Sequence, residues 1–283
     1  MAIILAGAPV AAARRDAIRA RAESLRRNGV VPCLAIVLVG DDAASQVYSQ
    51  RLQKLGASVG VSVILEKLPQ TALATEVVTV IERLNADSDI HAILPMMPLP
   101  RQIDANLVVE QLSPLKDADS LHPLNAGLVA TGKSAWAPCT PRAVMAILAH
   151  YQIPLAGRHA VVVGRSNVVG KPLANLLLAE DATVTICHSK TTDLAKVIKQ
   201  GDIVIAAVGR PKLIQADMIK QGAVVVDVGI NETAEGLVGD VDYLAVEQVA
   251  AAITPVPGGV GTVSSVMVME AVLNRWLKDD PNA

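Results

Sequence analysis

Aromatic residues are nearly missing from this chain of 283 residues. It contains no phenylalanine, three tyrosines and two tryptophans, whereas hydrophobic residues of all types make up 52% of the sequence. A core must therefore be built from alanine, valine, leucine and isoleucine. The length is sufficient for one large domain or two ordinary ones.

Excess charge and long apolar runs are missing as well. Charged residues are 18% of the chain and the formal net charge is −2, which argues against a broad positive surface for nucleic acid. No apolar run reaches the roughly 18 residues of a membrane-spanning helix. The apolar start, MAIILAGAPV, is too short for a secretory signal and has no basic segment before it. We therefore expect a cytoplasmic protein that binds neither nucleic acid nor membranes.

Cysteine and histidine are too few and too scattered for a disulfide framework or a metal site. The three cysteines, Cys33, Cys139 and Cys187, are odd in number and far apart. They are typical of small buried side chains in a reducing compartment. The five histidines show no ligand spacing with them, so we predict no metal.

The chain does contain a regular alternation of strand-like and helix-like segments. In the first half, apolar runs at residues 33–39, 61–68 and 91–96 alternate with helical patterns at 43–59 and 71–85. This order is typical of parallel sheets with helices on both faces.

A second series follows a segment without clear periodicity, residues 113–137. Thr140 and Pro141 provide a helix N-cap and a proline at the first helical position, which predicts a helix over 142–151. A final helix is predicted over 263–278. Four nearly all-apolar runs, expected to be strands buried on both faces, are HAVVVG, TVTICHS, DIVIAAVG and AVVVDVG. The sequence therefore predicts an α/β protein with two doubly wound domains.

A glycine-bearing turn follows the first of these four runs. The stretch GRSNVVGKPLANLLL has the spacing G-x-S-x-x-x-G, with Gly164 and Gly170 at its two ends. Such a turn between a strand and a helix binds the phosphates of a dinucleotide. The spacing departs from G-x-G-x-x-G, so an ordinary turn remains an alternative on spacing alone.

The end of the next strand indicates which dinucleotide binds. About 20 residues further on, an NAD enzyme usually has Asp or Glu for the ribose hydroxyls. Here the sequence is His188, Ser189 and Lys190, with Arg165 available from the glycine turn. A hydroxyl and two cations suit a 2′-phosphate, which predicts NADP. For Lys190 alone, a solvated lysine at a strand end is the alternative.

Further glycine clusters fall at strand ends, at residues 208–213, 228–231 and 254–262. Ligands in such sheets lie beyond the carboxyl ends of the strands. Each cluster alone is typical of a structural turn, but together they predict one binding crevice.

Eight motifs occur in order and at compatible intervals: VGDDAASQVY, KDADSLHPLNAG, PCTP, VVVGRSNVVGKP, HSKT, VVDVGIN, GDVD and TPVPGGVG. Through them the chain resembles, over essentially its whole length, the bifunctional methylenetetrahydrofolate dehydrogenase/methenyltetrahydrofolate cyclohydrolase family. The resemblance implies two α/β domains flanking a cleft, a homodimer, and tetrahydrofolate derivatives as substrates. It implies a folate-binding catalytic domain over residues 1–139, completed by the C-terminal helix 264–283. A Rossmann-type NADP-binding domain is implied over 140–263.

The resemblance also implies roles for individual residues. Tyr48 matches the family's active-site tyrosine, and Asp119 matches the carboxylate that holds the amino-pyrimidine edge of the pterin. Pro257, Gly258 and Gly261 match the loop on the folate side. The residues implied on the cofactor side are Thr140, Gly164, Arg165, Ser166, Gly170, Ser189, Lys190 and, through its backbone near the nicotinamide, Ile230.

Two departures from the family fall in the reaction centre. The family has a lysine four residues after the tyrosine and a glutamine before the proline-rich loop, and here these positions are Leu52 and Met96. Lys54 does not take the lysine's place, because it lies about 120° around a helix from Tyr48, whereas Leu52 is nearly beneath it. Three further substitutions, which local packing can accommodate, are Thr262, Ser120 and Ala143.

These substitutions leave three functions open. Hydride transfer needs two planar groups held in line and no proton transfer, so it tolerates the loss of the lysine. Hydrolysis of the methenyl group requires general acid–base help, which leucine and methionine do not give. We expect an NADP-dependent dehydrogenase with weak or absent cyclohydrolase activity. The alternatives are an enzyme with both activities, using Lys54 or another group after local rearrangement, and a non-catalytic paralogue that binds NADP or folate.

Overall fold

The computed structural model describes residues 2–133, 136–234 and 236–273, which form two compact α/β units. The first comprises Met1–Ala12 and Gly127–Ser264, and we call it the large-sheet unit. The second comprises Ala13–Ala126 and Ser265–Ala283, and we call it the small-sheet unit. Each is built on a parallel sheet, as the alternation of strands and helices predicts.

The secondary-structure elements follow one another in a largely alternating order. The first are β1 (Ile3–Ile4), α1 (Gly7–Arg27), β2 (Cys33–Val39), α2 (Ala43–Val59), β3 (Ser62–Leu68), α3 (Ala74–Ala86), β4 (Ala92–Pro95), α4 (Ala105–Glu110) and α5 (Pro123–Ala130). The others are α6 (Cys139–His150), β5 (His159–Val163), α7 (Gly170–Ala179), β6 (Thr183–Cys187), α8 (Leu194–Ile198), β7 (Ile203–Ala206), β8 (Val224–Asp227), β9 (Asn231–Thr233), β10 (Gly236–Val238), α9 (Tyr243–Val246), β11 (Ala252–Ile253) and α10 (Val260–Leu273). None of the described helices is both long and apolar enough to cross a bilayer.

The small-sheet unit has the strand order β3-β2-β4, and all three strands are parallel. All seven residues of β2 are buried, as expected for a central strand covered on both faces. The next helix, α2, is capped by Asp42, whose carboxylate accepts the N–H of Ser45 at 2.8 Å. Gly60 ends α2 with a left-handed φ of 84°. Local sequence therefore sets both ends of the helix that carries Tyr48.

The large-sheet unit has the strand order β1-β11-β8-β7-β5-β6, with every pair parallel, and β9 and β10 form a separate antiparallel hairpin. β7 is wholly buried in the middle of the sheet. β6 is an edge strand, so Thr183 and Ile186 are exposed, and the prediction that this run is buried on both faces is wrong. A run's composition indicates a strand, but its neighbours decide whether it lies at an edge.

The first residues of the chain belong to the large-sheet unit. In β1, Ile3 is paired with Ala252 of β11, and Ile4 with Ile253. The sequence predicts these residues in the first domain, whereas their strand is paired within the large-sheet unit. Only a contact between the two ends of the sequence reveals it.

Three local predictions also differ from the structure. Residues 113–137 contain α5, a short apolar helix whose one buried residue, Val129, leaves no amphipathic pattern in the sequence. α6 begins at Cys139, so Thr140 is not its N-cap and Pro141 is its third residue. Proline is tolerated there because the first N–H groups of a helix have no intrahelical partner. The predicted helical residues 274–278, and the remainder of the implied C-terminal segment, lie outside the described residues.

Candidate active site

Gly164 and Gly170 form a tight turn at the carboxyl end of β5, where α7 begins. Gly164 has a φ of 130°, and a side chain there would overlap the carbonyl oxygen of Ala207. A side chain at Gly170 would overlap the carbonyl oxygen of Gly164. The Ser166 hydroxyl accepts the N–H of Val169 at 3.0 Å. The turn therefore needs both glycines and presents a helix N-terminus at the carboxyl edge of a parallel sheet, which fits a dinucleotide phosphate.

The end of β6 lies beside this turn, because β5 and β6 are neighbours and Val163 is paired with Cys187. Arg165 and Ser189 each come two residues after that pair, and both are exposed. Lys190, the next residue, is also exposed. The three residues therefore lie in the loops that follow two neighbouring strands, and their contact with the ribose of a dinucleotide stays a prediction.

Ile230 and Gly261 are predicted for the cofactor side and the folate side, and the structure brings them together. Ile230 follows β8 and is 62% exposed, and a Cβ at Gly261 would lie 3.4 Å from its Cδ1. Gly258 has a φ of 107° and its carbonyl accepts a backbone N–H from the start of α1 at 2.8 Å. Pro257 is exposed on the same loop. Thr140 lies half-buried in the first turn of α6, and its contact with the cofactor stays a prediction.

Tyr48 lies in the second turn of α2 and is half-buried. Leu52, four residues later, is 0% exposed, whereas Lys54 is exposed to solvent on another side of the helix. The stripe that α2 buries consists of Ser45, Ser49, Leu52, Gly56 and Val59. The position nearly beneath the phenol is therefore part of the apolar interior of the small-sheet unit.

Met96 and Asp119 both lie at the carboxyl edge of β4. Met96 directly follows the strand, is 6% exposed, and donates its N–H to a carbonyl of β2 at 2.9 Å. Asp117 forms a parallel bridge with Ile93, so the chain runs beside β4 and reaches half-buried Asp119 at the same edge. Because α2 starts from the carboxyl end of the neighbouring strand β2, Tyr48 comes from this edge too.

Two buried polar residues that the sequence analysis did not single out anchor the segment before Asp119. Lys116 is 6% exposed and its ammonium donates to three carbonyls at the C-terminal end of α3, at 2.5–3.0 Å. Asp117 is 0% exposed and its Oδ2 accepts the N–H of His122 and the amide of Asn125, at 2.8 and 2.9 Å. An ammonium at a helix C-terminus is electrostatically favourable. These bonds fix the backbone from which the Asp119 carboxylate projects.

Asp227 and Asp240 are two further buried acids without a role in the sequence analysis, at 3% and 0% exposure. The signal for them was an acidic residue inside the apolar motif VVDVGIN and another in GDVD. Burial raises the pKa of Asp227 to about 6, and backbone N–H donors partly oppose the shift. In the described part of the chain, no three His, Cys, Asp or Glu side chains are grouped to hold a metal ion.

Two family models match the chain. The catalytic domain model of tetrahydrofolate dehydrogenase/cyclohydrolase matches residues 5–119, and the NAD(P)-binding domain model matches residues 138–280. The chain belongs to the tetrahydrofolate dehydrogenase/cyclohydrolase family. The resemblance carried by its sequence motifs is confirmed, and so is the Rossmann-type character of the second domain.

Curated members of the tetrahydrofolate dehydrogenase/cyclohydrolase family align with the chain nearly end to end. The bifunctional protein FolD of Herpetosiphon aurantiacus is 52% identical over 253 residues, which cover 89% of this chain and 88% of the relative. The bifunctional protein FolD of Halalkalibacterium halodurans is 46% identical over 268 residues, covering 95% and 96%.

Solved structures of the family superpose closely on this chain. The bifunctional enzyme FolD of Campylobacter jejuni has a TM-score of 0.96 at 38% identity and covers 99% of this chain and 100% of its own. The FolD of Trypanosoma brucei, solved with NADP and an inhibitor, has a TM-score of 0.93 at 35% identity and covers 98% of both chains. The predicted fold class, α/β with a Rossmann-type nucleotide domain, is therefore confirmed.

Proposed function

We propose that the chain oxidises 5,10-methylenetetrahydrofolate to 5,10-methenyltetrahydrofolate with NADP, and that its cyclohydrolase activity is weak or absent. The observation that carries the second part is the burial of Leu52 and Met96, which are 0% and 6% exposed. Neither side chain transfers a proton, and neither position is open to water. The resemblance of the sequence motifs implies that these are the positions at which the family has its lysine and glutamine.

The two reactions make different demands on the protein. Bound NADP supplies a hydride acceptor, and no proton moves when the methylene carbon gives up its hydride. The chain's own residues need only hold the two ring systems in line. Hydrolysis requires an activated water and a protonated folate nitrogen, and acid–base groups contribute roughly 10²–10⁴-fold to such steps. Loss of the lysine therefore removes hydrolysis and spares oxidation.

NADP, not NAD, is the cofactor that the nucleotide corner favours. The turn between Gly164 and Gly170 would hold the phosphates through the N-terminus of α7. Arg165, Ser189 and Lys190 would hold the 2′-phosphate, and the pairing of β5 with β6 supports this because the three residues follow the ends of those neighbouring strands. A charged 2′-phosphate gains from both cations, whereas the bare ribose of NAD does not.

On the folate side, Asp119 would accept paired hydrogen bonds from the amino-pyrimidine edge of the pterin as an ionised carboxylate. Tyr48 would contact the reacting part of the folate from the second turn of α2. The loop with Pro257, Gly258 and Gly261 would line the folate side. A folate-binding domain over residues 1–139, completed by the C-terminal helix, and a homodimer remain predictions from the resemblance, and a cytoplasmic location remains a prediction from the composition of the chain.

The lysines of the small-sheet unit support the loss of hydrolysis. Lys54 is exposed and lies about 120° around α2 from Tyr48. Lys67 is exposed at the end of β3, with its ammonium 3.9 Å from the carboxylate of Asp41. The ammonium of Lys116 already donates to three carbonyls at the C-terminal end of α3. Within residues 13–126 and 265–273 there is no other lysine.

The test follows two wavelengths on purified protein, one for NADPH formation and one for the decay of methenyl-folate. We expect NADPH to form with methylene-folate, and methenyl-folate to decay at the rate seen in buffer. Hydrolysis well above the buffer rate would refute the loss of cyclohydrolase activity. No NADPH formation would refute the dehydrogenase and favour a binding protein without catalysis.

A further inference from the structure

The carboxylate of Asp240 holds the loop that follows β7. Its Oδ2 accepts the N–H groups of Val208 and Gly209, at 2.6 and 3.0 Å. Its Oδ1 accepts the N–H of Arg210 at 2.8 Å and the side-chain amide of Asn231 at 2.9 Å. Asp240 is 0% exposed, so these four donors take the place of water around a buried carboxylate.

Asp227, at the carboxyl end of β8, is bonded in turn to the backbone around Asp240. Its carboxylate accepts the N–H groups of Gly229, Asp240 and Val241, at 2.9–3.0 Å. A side chain at Gly229 would overlap the Asp240 carboxyl group, and one at Gly239 would overlap that of Asp227. The two acids therefore form one closed network whose close packing requires glycine at both positions.

This network is hydrogen-bonded to the residues on both sides of Ile230. Gly229, just before it, donates its N–H to Asp227, and Asn231, just after it, donates its amide to Asp240. Ile230 itself is 62% exposed, although isoleucine is among the most commonly buried residue types. Its position thus depends on the neighbouring hydrogen bonds and not on burial of its own side chain.

We propose that Asp240 is a positioning residue for hydride transfer, which fixes the 208–210 loop and Ile230 at the nicotinamide end of the cofactor site. This role rests on the proposed NADP-dependent function and on the placement of Ile230 near the nicotinamide. Both segments follow neighbouring strands, β7 and β8, at the carboxyl edge of the sheet. The carboxylate of Asp240 is hydrogen-bonded to both segments, so neither segment can shift without breaking a hydrogen bond to this buried group.

The variant Asp240→Asn tests this positioning role, because asparagine has nearly the same side-chain volume as aspartate. Each carboxylate oxygen receives two donors, so either orientation of the new amide turns its NH₂ group toward two of the four. The matched control is Asp202→Asn. Asp202 also accepts a backbone N–H, that of His159 at 3.0 Å, but at the opposite edge of the sheet, before β7.

Binding of NADPH is compared with binding of 2′,5′-ADP, which carries the 2′-phosphate but no nicotinamide. We expect Asp240→Asn to weaken the binding of NADPH by roughly tenfold or more, which is the effect of losing one charge-assisted hydrogen bond. The affinity for 2′,5′-ADP should change by less than about twofold. We expect kcat to fall while the KM for folate stays nearly constant. Asp202→Asn should leave the ratio of the two affinities unchanged.

If Asp240→Asn lowers the affinities for NADPH and for 2′,5′-ADP by the same factor, the role of Asp240 is merely structural and the proposal is overturned. If this variant does not fold, Asn231→Ala removes one of the four donors. It should weaken binding of NADPH about threefold relative to binding of 2′,5′-ADP. An unchanged affinity ratio in Asn231→Ala would also overturn it. The binding measurements need no folate turnover, so they report on Asp240 even if the wild-type protein fails to produce NADPH from methylene-folate.

Discussion

Restoring the two missing side chains tests the central proposal most directly. In the variant Leu52→Lys with Met96→Gln, an amine stands one helical turn from the Tyr48 phenol. Leu52 is 0% exposed, so the new ammonium is desolvated and its pKa falls well below that of a free lysine. A neutral amine near pH 7 then has the proton affinity of a general base.

The stability of this variant can be worked out from the same burial. Losing the leucine side chain costs roughly 1.5–3 kcal/mol, and keeping the buried amine deprotonated at pH 7 adds to this cost, because the same lysine is protonated in the unfolded chain. A lysine with a lowered pKa binds fewer protons in the folded state than in the unfolded chain. Stability therefore rises with pH, and the cost should shrink toward that of the leucine alone as pH approaches about 10. Denaturant unfolding at several pH values measures this.

The activity assay is the decay of methenyl-folate with purified variants. General acid–base catalysis contributes roughly 10²–10⁴-fold, and we expect the double variant to reach the lower part of that range above buffer. Leu52→Lys alone should gain less, because no amide orients the amine. Leu52→Met is the matched control, which keeps an apolar side chain and should oxidise methylene-folate without hydrolysing the product.

One result would end this reasoning. If the wild-type protein hydrolyses methenyl-folate well above the buffer rate, another group supplies the base and the buried Leu52 is only a core residue. A double variant that folds, oxidises methylene-folate and still shows no hydrolysis would mean that the loss extends beyond Leu52 and Met96.

Three further predictions concern the cofactor, the folate and the buried acids. Arg165→Ala should weaken NADP binding about tenfold or more and leave NAD binding nearly unchanged, because it removes a charge-assisted phosphate contact; equal losses in titrations with both cofactors would contradict the assignment. Asp119→Ala should raise the KM for folate or abolish turnover while NADP still binds, and normal folate kinetics would refute its role. Because the pKa of Asp227 is raised to about 6, its carboxyl group keeps a proton in the folded state at pH values where the unfolded chain has released it. The contribution of this group to the stability of the fold therefore falls as pH rises from about 4 to 6. Relative to Asp227→Asn, the wild-type free energy of unfolding should fall by up to about 3 kcal/mol across that window, and parallel pH curves for the two proteins would refute it.

Much of the fold was predictable because its signals are local. The apolar run of β2 and the helix after it were predicted with the bounds that the structure shows, since Asp42 and Gly60 mark both ends of α2. The turn between Gly164 and Gly170 was recognisable because a tight turn leaves glycines at fixed spacing. Helical periodicity alone places Leu52, and not Lys54, beneath Tyr48.

The sequence by itself determined the α/β class, the family and the nucleotide turn. Tertiary structure decided which strands are neighbours: β6 lies at the edge, and β1 joins β11 from the other end of the chain. It also decided that the carboxylate of Asp227 accepts the backbone N–H of Asp240, 13 residues away, and that the two acids bond the residues on either side of Ile230. Periodicity and spacing report on neighbours along the chain, whereas these pairings exist only after non-local segments have closed onto one another.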